Sequence, residues 1–289
     1  MFHVELMSKA KPNKILQATD YLVSREIFNI HWDDERQIAW TDVQHLETLD
    51  PYYESSEYIS HQSKPHSLIQ QLYVRARYLM LNYKYMLLKK HINPNSHILD
   101  VGCGTGSFLS YMRKKGFQVH GVEKNAKARN FCLENNLDVE TTETNLSPNS
   151  FDAITLWHVL EHLPKPEMHL SNYLNLLKSN GILAIAVPNF ESHDLIYYQN
   201  AWAALDVPRH LWHFTPKGLI KMVNQNGFEL IKKKPLRLDV FYISYLSEKN
   251  GGKSLPLLRG ILKGIGFSLK AVFTSKYSSW VFVFKKQTL

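Results

Sequence analysis

The stretch His97–Gly106 (HILDVGCGTG) consists of a short apolar strand that ends in a glycine-rich turn. Residues 107–113 follow at once and have the composition of a helix. A strand, a glycine turn and a helix in this order begin a βαβ unit, which binds a nucleotide-like ligand at the carboxyl edge of a parallel sheet. Glycine suits such a turn because positive φ angles and close approach of a ligand both exclude a Cβ atom.

The spacing of the glycines separates two kinds of ligand. A dinucleotide fingerprint, G-x-G-x-x-G, requires a third glycine where this chain has Ser107, and here Gly106 makes the pattern G-x-G-x-G instead. Asp100 lies just before the turn. Its carboxylate would repel a pyrophosphate but attract an ammonium or sulfonium group. The turn therefore favours S-adenosylmethionine over NAD.

A second strand is predicted at 118–123 and ends in Glu123. This acid follows Gly102 by 123 − 102 = 21 positions, which matches the offset of about 20 residues for an acid that holds ribose hydroxyls. We therefore interpret Glu123 as a ligand-binding acid and not as a solvated carboxylate at a strand end.

Four segments in order, 98–106, 121–123, 151–154 and 181–189, resemble the motifs of class I S-adenosylmethionine-dependent methyltransferases. The resemblance covers roughly residues 94–289. It implies an α/β, Rossmann-like, doubly wound sheet of seven strands with the last strand antiparallel, and S-adenosyl-L-methionine as cofactor. The implied cofactor contacts are Asp100, Gly102, Gly104, Gly106 and Glu123, with Thr142 and Glu143 as candidates for adenine and Trp157 at the end of the fourth strand.

The composition is ordinary for a globular protein. The chain has 289 residues, 44% of them apolar, and no apolar run approaches the ~20 residues that cross a bilayer. Residues 1–10 do not resemble a secretory signal, and the two cysteines, Cys103 and Cys132, are expected to be free thiols in a reducing compartment, which favours the cytoplasm. The net charge of +8 is spread along the chain, so we expect no DNA partner.

A hairpin is predicted at the beginning of the chain, with strands at 21–32 and 37–41. Segments 20–28 and 52–61 resemble the N-terminal region of a bacterial subgroup related to ubiquinone-pathway O-methyltransferases. In that subgroup two cysteine pairs commonly build a zinc ribbon. This chain has no cysteine before position 103, so we expect no structural zinc there.

A long helix is predicted over 63–92. Its apolar face repeats at spacings of three and four through Leu68, Leu72, Ala76, Leu79, Tyr83 and Leu87. The predicted organisation is therefore an N-terminal hairpin extension at 1–62, a helix at 63–93 that acts as a lid over the cofactor cleft, and a methyltransferase domain at 94–289.

Residues His158, Glu161 and His162 follow the predicted fourth strand, and in one helical turn they would share a face. H-x-x-E-H is a metalloprotease signature, but Pro164 and Pro166 interrupt the helix that this chemistry needs. The segment is also similar to the metal site of RNA-ribose and ubiquinone-pathway methyltransferases, with His210 as a further ligand. We favour a third interpretation, in which these residues shape the substrate pocket without a metal.

Residues 206–216 resemble the substrate loop of the same subgroup. His210 or His213 is a candidate base for an acceptor hydroxyl or amine, although either also fits a packing role in the loop. The predicted catalytic residues are His158, His162 and His210. Thr215 and Pro216 are predicted to begin a helix that ends at Asn226 and Gly227.

Residues 255–273 form an apolar and basic insertion without acids. This pattern is compatible with peripheral contact to an anionic membrane, but we favour packing on its own domain or on a second subunit in a homodimer.

The sequence thus predicts methyl transfer from S-adenosylmethionine to an oxygen, nitrogen or carbon nucleophile. The favoured reaction is O-methylation of a small molecule, a glycan or a lipid-linked intermediate. The alternatives are a non-catalytic protein that binds S-adenosylmethionine or S-adenosylhomocysteine, and a metal-dependent RNA ribose methyltransferase. A dehydrogenase is disfavoured by Ser107 and Asp100.

Overall fold

The computed structural model describes residues 13–44, 49–53 and 68–287. In these ranges the strands are β1 (Asn13–Thr19), β2 (Ile27–Asp33), β3 (Ile38–Thr41), β4 (His97–Val101), β5 (Gln118–Val122), β6 (Val139–Glu140), β7 (Phe151–Trp157), β8 (Leu177–Pro188), β9 (Trp212–Phe214), β10 (Phe228–Pro235) and β11 (Ser279–Lys286). The α-helices are α1 (Leu68–Leu88), α2 (Ser107–Lys114), α3 (Ala126–Glu134), α4 (Pro166–Leu176), α5 (His193–Tyr198), α6 (Pro216–Gln225), α7 (Asp239–Asn250) and α8 (Pro256–Thr274).

The described residues form two compact units. The seven-stranded unit is drawn from Ser56–Val187, Val223–Leu238 and Trp280–Leu289. The four-stranded unit is drawn from Met1–Ser55, Pro188–Met222 and Asp239–Ser279. The predicted boundaries at 62 and 93 stay a prediction.

The seven-stranded unit is built on one mixed sheet. Its strand order is β10-β11-β8-β7-β4-β5-β6. Strands β4 to β8 pair in parallel, and β10 and β11 pair antiparallel. This confirms the predicted Rossmann-like sheet of seven strands with an antiparallel last strand.

The register of the sheet brings the motif residues to one edge. Asp100 of β4 lies opposite Gly121 of β5 and Thr155 of β7. These strands are almost entirely buried, as expected for parallel strands covered on both faces. Because parallel strands end at the same edge, the segments that follow β4, β5 and β7 meet there.

Helix α1 agrees only partly with its predicted apolar face. Leu87 is buried as predicted, but Leu79 is 61% exposed. The packed face instead uses Tyr85, whose ring lies 6.2 Å from the ring centres of both Tyr111 and Phe117. Residues 63–67 and the side chains of Leu68 and Leu72 lie outside the described part of the chain.

The four-stranded unit contains an antiparallel sheet in the order β1-β2-β3-β9. The predicted hairpin is confirmed as β2 and β3, but β2 begins at Ile27 and not at Tyr21. The reason is a local turn in which the Asp20 carboxylate accepts hydrogen bonds from the backbone N–H groups of Leu22, Val23 and Ser24. Strands β1 and β9 were not predicted, and β9 lies within the segment predicted to be the substrate loop.

Helices α7 and α8 pack closely in the four-stranded unit. The predicted insertion at 255–273 is helix α8, and its buried side includes Gly260, Gly264, Phe267 and Ala271. A Cβ atom on Gly260 would lie 2.6 Å from the backbone N of Tyr245 in α7. The glycines therefore permit close helix packing on α7, a helix that the sequence analysis did not predict.

The end of the chain follows the prediction closely. Helix α6 begins where Thr215 Oγ1 accepts the Gly218 N–H at 3.0 Å, and Gly227 follows it with φ +86°. Strands β10 and β11 match, to within two residues, the sixth and seventh strands that the sequence predicts at 228–237 and 278–285. In the described ranges, every helix is too short or too polar to traverse a lipid bilayer.

Candidate functional site

Asp100 is a buried carboxylate at the centre of the sheet edge. Its exposed fraction is 2%, and among the described residues its one hydrogen bond comes from the Thr155 hydroxyl, at 2.6 Å. Burial raises the pKa of Asp100 to about 7, although the Thr155 hydrogen bond and the charge of Lys84 act in the opposite direction. A cationic ligand at this point would favour the charged form of Asp100.

The glycine turn leaves space at one of its three glycines. All three have positive φ angles, +65° at Gly102, +55° at Gly104 and +70° at Gly106. A Cβ atom on Gly102 or Gly106 would meet Val159 at 2.5 Å or Leu137 at 2.3 Å, whereas a Cβ on Gly104 would meet nothing within 4 Å. The outer two glycines are needed for packing, and the backbone of Gly104 is open to a ligand.

Glu123 connects the end of β5 to the glycine turn. Its Oε2 accepts the Gly104 N–H at 2.8 Å, and its Oε1 accepts the Asn125 N–H at 2.8 Å. Each carboxylate oxygen has capacity for a second hydrogen bond. The predicted ribose-binding acid therefore also fixes the shape of the turn.

Cys103 and Cys132 lie beside this turn as free, buried thiols. Cys132 Sγ donates to the carbonyl oxygen of Gly104 at 3.2 Å. Both cysteines belong to a small apolar cluster with Leu109, Leu137 and Val139. This cluster packs against the turn from the interior of the protein.

Glu143 is held by helix α4. Its Oε1 lies 2.8 Å from His169 Nδ1 and accepts a hydrogen bond from the Tyr173 hydroxyl at 3.2 Å. Burial acts to raise the pKa of Glu143, but the hydrogen bonds from His169 and Tyr173 bring it below its usual value. Thr142 is exposed, and its hydroxyl lies 2.6 Å from that of Thr144. The sequence analysis did not predict the partners of Glu143, because α4 lies more than twenty residues away.

Trp157 ends β7 in a cluster of aromatic and cationic side chains. The Phe108 ring contacts it edge to face at 5.3 Å, and the ammonium of Lys84 lies 4.3 Å above its ring centre. Its buried indole Nε1 has no hydrogen-bond partner within the described ranges. Lys84 belongs to α1, so this helix does contribute a side chain to the region next to Asp100.

The segment after β7 is not one helical turn that contains all three predicted residues. A short 3-10 turn covers Leu160–His162, and His158 precedes it with φ +60°. The His158 N–H donates to the Ala186 carbonyl oxygen at 3.0 Å, which keeps this residue in the sheet. His158 Nδ1 nevertheless lies 3.3 Å from Glu161 Oε1. The structure therefore brings His158 and Glu161 together by a different local geometry.

The four-stranded unit has its own small pocket of about 10 Å³, lined by Pro188, Phe190, Trp202, Ala204, His210, Trp212 and His213. His210 Nδ1 donates to the Ala204 carbonyl oxygen at 2.9 Å, which leaves the Nε2 lone pair as the acceptor in the neutral ring. This places the predicted catalytic residue His210 in an aromatic pocket.

His213, in the same pocket, is buried and hydrogen-bonded to Thr41. The Thr41 hydroxyl donates to the His210 carbonyl oxygen at 2.7 Å, so His213 Nε2 is the donor in its 2.9 Å contact with Thr41 Oγ1. Burial lowers the pKa of His213 to about 3. A ring with this pKa stays neutral and is a weak base near pH 7.

A buried ion pair holds the four-stranded unit, and the sequence analysis missed it. Arg209 donates to Asp20 at 3.0 Å and to Asp206 at 2.7 Å, and also to the Tyr52 carbonyl oxygen at 3.1 Å. Burial opposes the charge on Arg209, but Asp206 and Asp20 raise its pKa above the usual value. This cluster joins distant parts of the chain, so no local pattern marks it.

Known proteins resemble this chain in both sequence and fold. The family model described as "Methyltransferase domain" matches residues 71–233, more than half of the chain. The chain belongs to this methyltransferase family. Membership confirms the predicted class of S-adenosylmethionine-dependent methyltransferases, and with it S-adenosylmethionine as the cofactor.

Curated relatives of this methyltransferase include ubiquinone biosynthesis O-methyltransferases. The protein from Xanthomonas campestris is 32% identical over 106 residues, which are 33% of this chain and 44% of the relative. The protein from Glaesserella parasuis is 30% identical over 152 residues, which are 46% of this chain and 64% of the relative. The chain thus matches about half of the length of these relatives.

Solved structures share the fold at low sequence identity. Phosphoethanolamine N-methyltransferase 2 from Haemonchus contortus has a TM-score of 0.55 at 13% identity, over 95% of this chain and 71% of that one. The [4+2]-cyclase SpnF has a TM-score of 0.53 at 16% identity, over 79% of this chain and 86% of that one. A methyltransferase and a cyclase therefore share this architecture, which shows that the fold alone does not define the reaction.

Proposed function

We propose that this chain transfers a methyl group from S-adenosylmethionine to a hydroxyl oxygen of a small-molecule acceptor. The observation that carries the proposal is the buried Asp100 carboxylate, which lies at the glycine turn with one hydroxyl partner among the described residues. The O-methyltransferase relatives support a hydroxyl as the acceptor group.

The residues of the turn fit the cofactor. The space next to Gly104 would be filled by a Cβ atom on any other residue, and nothing in the described protein occupies it within 4 Å. When bound, S-adenosylmethionine supplies a methyl group that its sulfonium has already activated. The work left to the protein is to hold the acceptor in line, and such positioning can lower a barrier by about 7–11 kcal/mol.

We assign separate roles to the acids of the turn. Asp100 attracts the cationic part of the cofactor, because its own charge is poorly compensated by the protein. Glu123 accepts the ribose hydroxyls with the oxygen capacity that remains after its two backbone hydrogen bonds. Gly102 and Gly106 keep the turn compact while Gly104 lies against the ligand.

Trp157, Thr142 and Glu143 complete the proposed cofactor site. Trp157 offers an aromatic surface and an indole N–H that has no partner among the described residues. Glu143 is oriented by His169 and Tyr173, which suits a carboxylate that contacts adenine. Helix α1, through Lys84, is proposed as the lid of this site.

His210 is the proposed proton acceptor for the hydroxyl. Its Nδ1–H donates to the Ala204 carbonyl oxygen, which orients the ring in the aromatic pocket and makes Nε2 its basic atom. His213 is proposed to position the acceptor and not to remove its proton, because burial lowers its pKa to about 3. His158 and His162 are proposed to shape the site without a metal.

The test is a methylation assay with S-adenosylmethionine and a panel of phenols, catechols, amines and carbon nucleophiles, followed by mass spectrometry of the products. We expect methyl ethers from hydroxylated aromatic acceptors. His210→Gln should lower kcat by about 10²–10⁴-fold, the usual contribution of a general base. The matched variant His213→Gln, in the same pocket, should change KM more than kcat.

Two results would overturn the proposal. Methylation of amines or carbon alone would move the reaction to another acceptor class. Binding of S-adenosylhomocysteine without turnover on any acceptor would favour a non-catalytic binding protein.

A further inference from the structure

Helix α8 has two apolar sides, and only one of them packs against other residues that the structure describes. The buried side packs on α7 through Gly260 and Gly264, where added Cβ atoms would meet Tyr245 backbone and Phe241 at 2.6 and 2.7 Å. The other side is exposed to solvent and presents large apolar residues at helical spacing. These residues, which we call the α8 stripe, are Leu258, Ile261, Leu262, Ile265, Leu269, Val272 and Phe273.

The exposure of the α8 stripe is high for a soluble surface. Leu262 and Leu269 are each 61% exposed and Phe273 is 88% exposed. Isolated apolar side chains on a surface need no explanation, but a contiguous row along one helix indicates an interaction surface. The row runs along most of the helix, from its first turn to its last.

The charged residues on α8 and in the segments directly before and after it are all basic. Residues 251–289 contain no Asp or Glu, while Lys253, Arg259, Lys263, Lys270 and Lys276 lie on or beside α8. Arg259 is paired with Glu248 of α7 at 2.6 Å, and the Lys263 ammonium lies 4.1 Å above the Tyr197 ring. Lys270 and Lys276 are exposed near the Phe273 end of the stripe.

We propose that the α8 stripe docks on the surface of a bilayer that contains anionic phospholipids. An interfacial helix of this kind buries its apolar face at the boundary of headgroups and acyl chains, while its lysines reach the lipid phosphates. The length and composition of α8 exclude a transmembrane role.

Charge complementarity favours a lipid surface over a second copy of the chain. A twofold dimer through this stripe would bring the exposed Lys270 and Lys276 of both copies to the same interface. Like charges that face each other at an interface oppose association. An anionic bilayer attracts the same cations.

The test is co-sedimentation of the full-length chain with vesicles of phosphatidylcholine alone or mixed with phosphatidylglycerol. We expect binding to the anionic vesicles, weaker binding at high salt and little binding to phosphatidylcholine alone. The stripe variant Leu262→Gln/Leu269→Gln should lower the partition coefficient by about tenfold or more, since both exposed leucines would insert. Lys270→Gln/Lys276→Gln should lower it by about tenfold through lost attraction.

The matched control is Leu133→Gln/Met168→Gln. These residues are also exposed apolar side chains, 50% and 64% exposed, but lie on α3 and α4. The control should leave vesicle binding unchanged, and every variant should retain circular dichroism and binding of S-adenosylhomocysteine.

Three outcomes would overturn the proposal. The first would be failure of the wild-type chain to bind anionic vesicles. The second would be a control variant that weakens binding as much as the stripe variant does. The third would be light scattering that shows a dimer for the wild type and a monomer for the stripe variant, with no vesicle binding by either protein.

Discussion

Asp100 and Asp20 are two buried aspartates in different units. The protein stabilises the charge of Asp20 but compensates the charge of Asp100 poorly. Asp20 is fully buried, yet three backbone N–H groups and the Arg209 guanidinium surround its carboxylate. Burial works to raise the pKa of Asp20, but these donors bring it below its usual value. Asp100 has almost the same burial and one hydroxyl donor, and its pKa rises to about 7.

This difference is the one expected between a structural carboxylate and a carboxylate that binds a cation. The charge of Asp20 is compensated inside its own unit, so its role is complete without a ligand. The charge of Asp100 is compensated poorly, and a cation from outside the chain would lower its energy. The comparison therefore supports the proposal that Asp100 binds a ligand, without reference to any motif.

The largest effect is expected for Arg209→Met. Removal of one partner from a buried ion pair leaves an uncompensated charge and typically costs about 3–5 kcal/mol. We expect this loss in urea unfolding followed by circular dichroism. The double variant Asp20→Asn/Arg209→Met should lose less than the sum of the single variants. Equal, additive losses would show that the two side chains do not interact.

The contribution of Asp20 to the stability of the four-stranded unit should be lost at low pH. Because the folded state lowers the pKa of Asp20, its contribution to stability is present above the unfolded value of 3.8 and is lost as the pH falls through the lower, folded pKa.

Asp100→Asn should stabilise the folded protein, in contrast to Arg209→Met. The folded state raises the pKa of Asp100 from 3.8 to about 7, so the folded chain holds this proton more tightly and loses stability as the pH rises through that window. Asparagine can still accept the Thr155 hydroxyl and carries no charge. We expect the free energy of unfolding to increase by on the order of 1–3 kcal/mol at about pH 8, and to change little at about pH 4. A destabilised variant at the higher pH would contradict the account.

The smallest effect is expected for alanine substitutions that compare a glycine at the proposed cofactor site with a glycine elsewhere. Gly104 and Gly116 both have positive φ angles, and a Cβ on either would meet nothing within 4 Å. Alanine at either position should cost about 1–2 kcal/mol of stability through backbone strain. Only Gly104→Ala should also weaken binding of S-adenosylhomocysteine, by about tenfold, since its methyl group fills space needed by the ligand. Equal affinities in the two variants would place the ligand away from Gly104.

The parts of the molecule that the sequence predicted are those encoded by neighbouring residues. The glycine turn, Asp100 and Glu123 lie within one βαβ unit, and their spacing favoured S-adenosylmethionine over NAD. The sheet was predicted from the resemblance of four such local motifs to class I methyltransferases. The helix that begins at Thr215 and Pro216 was predicted for the same reason, because its capping signals are adjacent in sequence.

The parts that it could not predict depend on distant residues. Arg209 and Asp20 are 189 positions apart, and β9 becomes a strand only because β3 offers a free edge to it. Leu79 fits the apolar period of α1 but is exposed, because Tyr85 and its neighbours form the packed face. Periodicity describes a helix face, whereas tertiary packing decides which face is buried.

The most direct test of the central claim is the proton balance of cofactor binding. S-adenosylhomocysteine would be titrated into the full-length chain by calorimetry near pH 6.5, in buffers with different ionisation enthalpies. If the ligand ammonium pairs with Asp100, binding should release a fraction of a proton in the wild type, and Asp100→Asn should bind more weakly without that release. Equal proton release by both proteins, or unchanged affinity of the variant, would contradict the assignment of Asp100 as the cofactor-binding carboxylate.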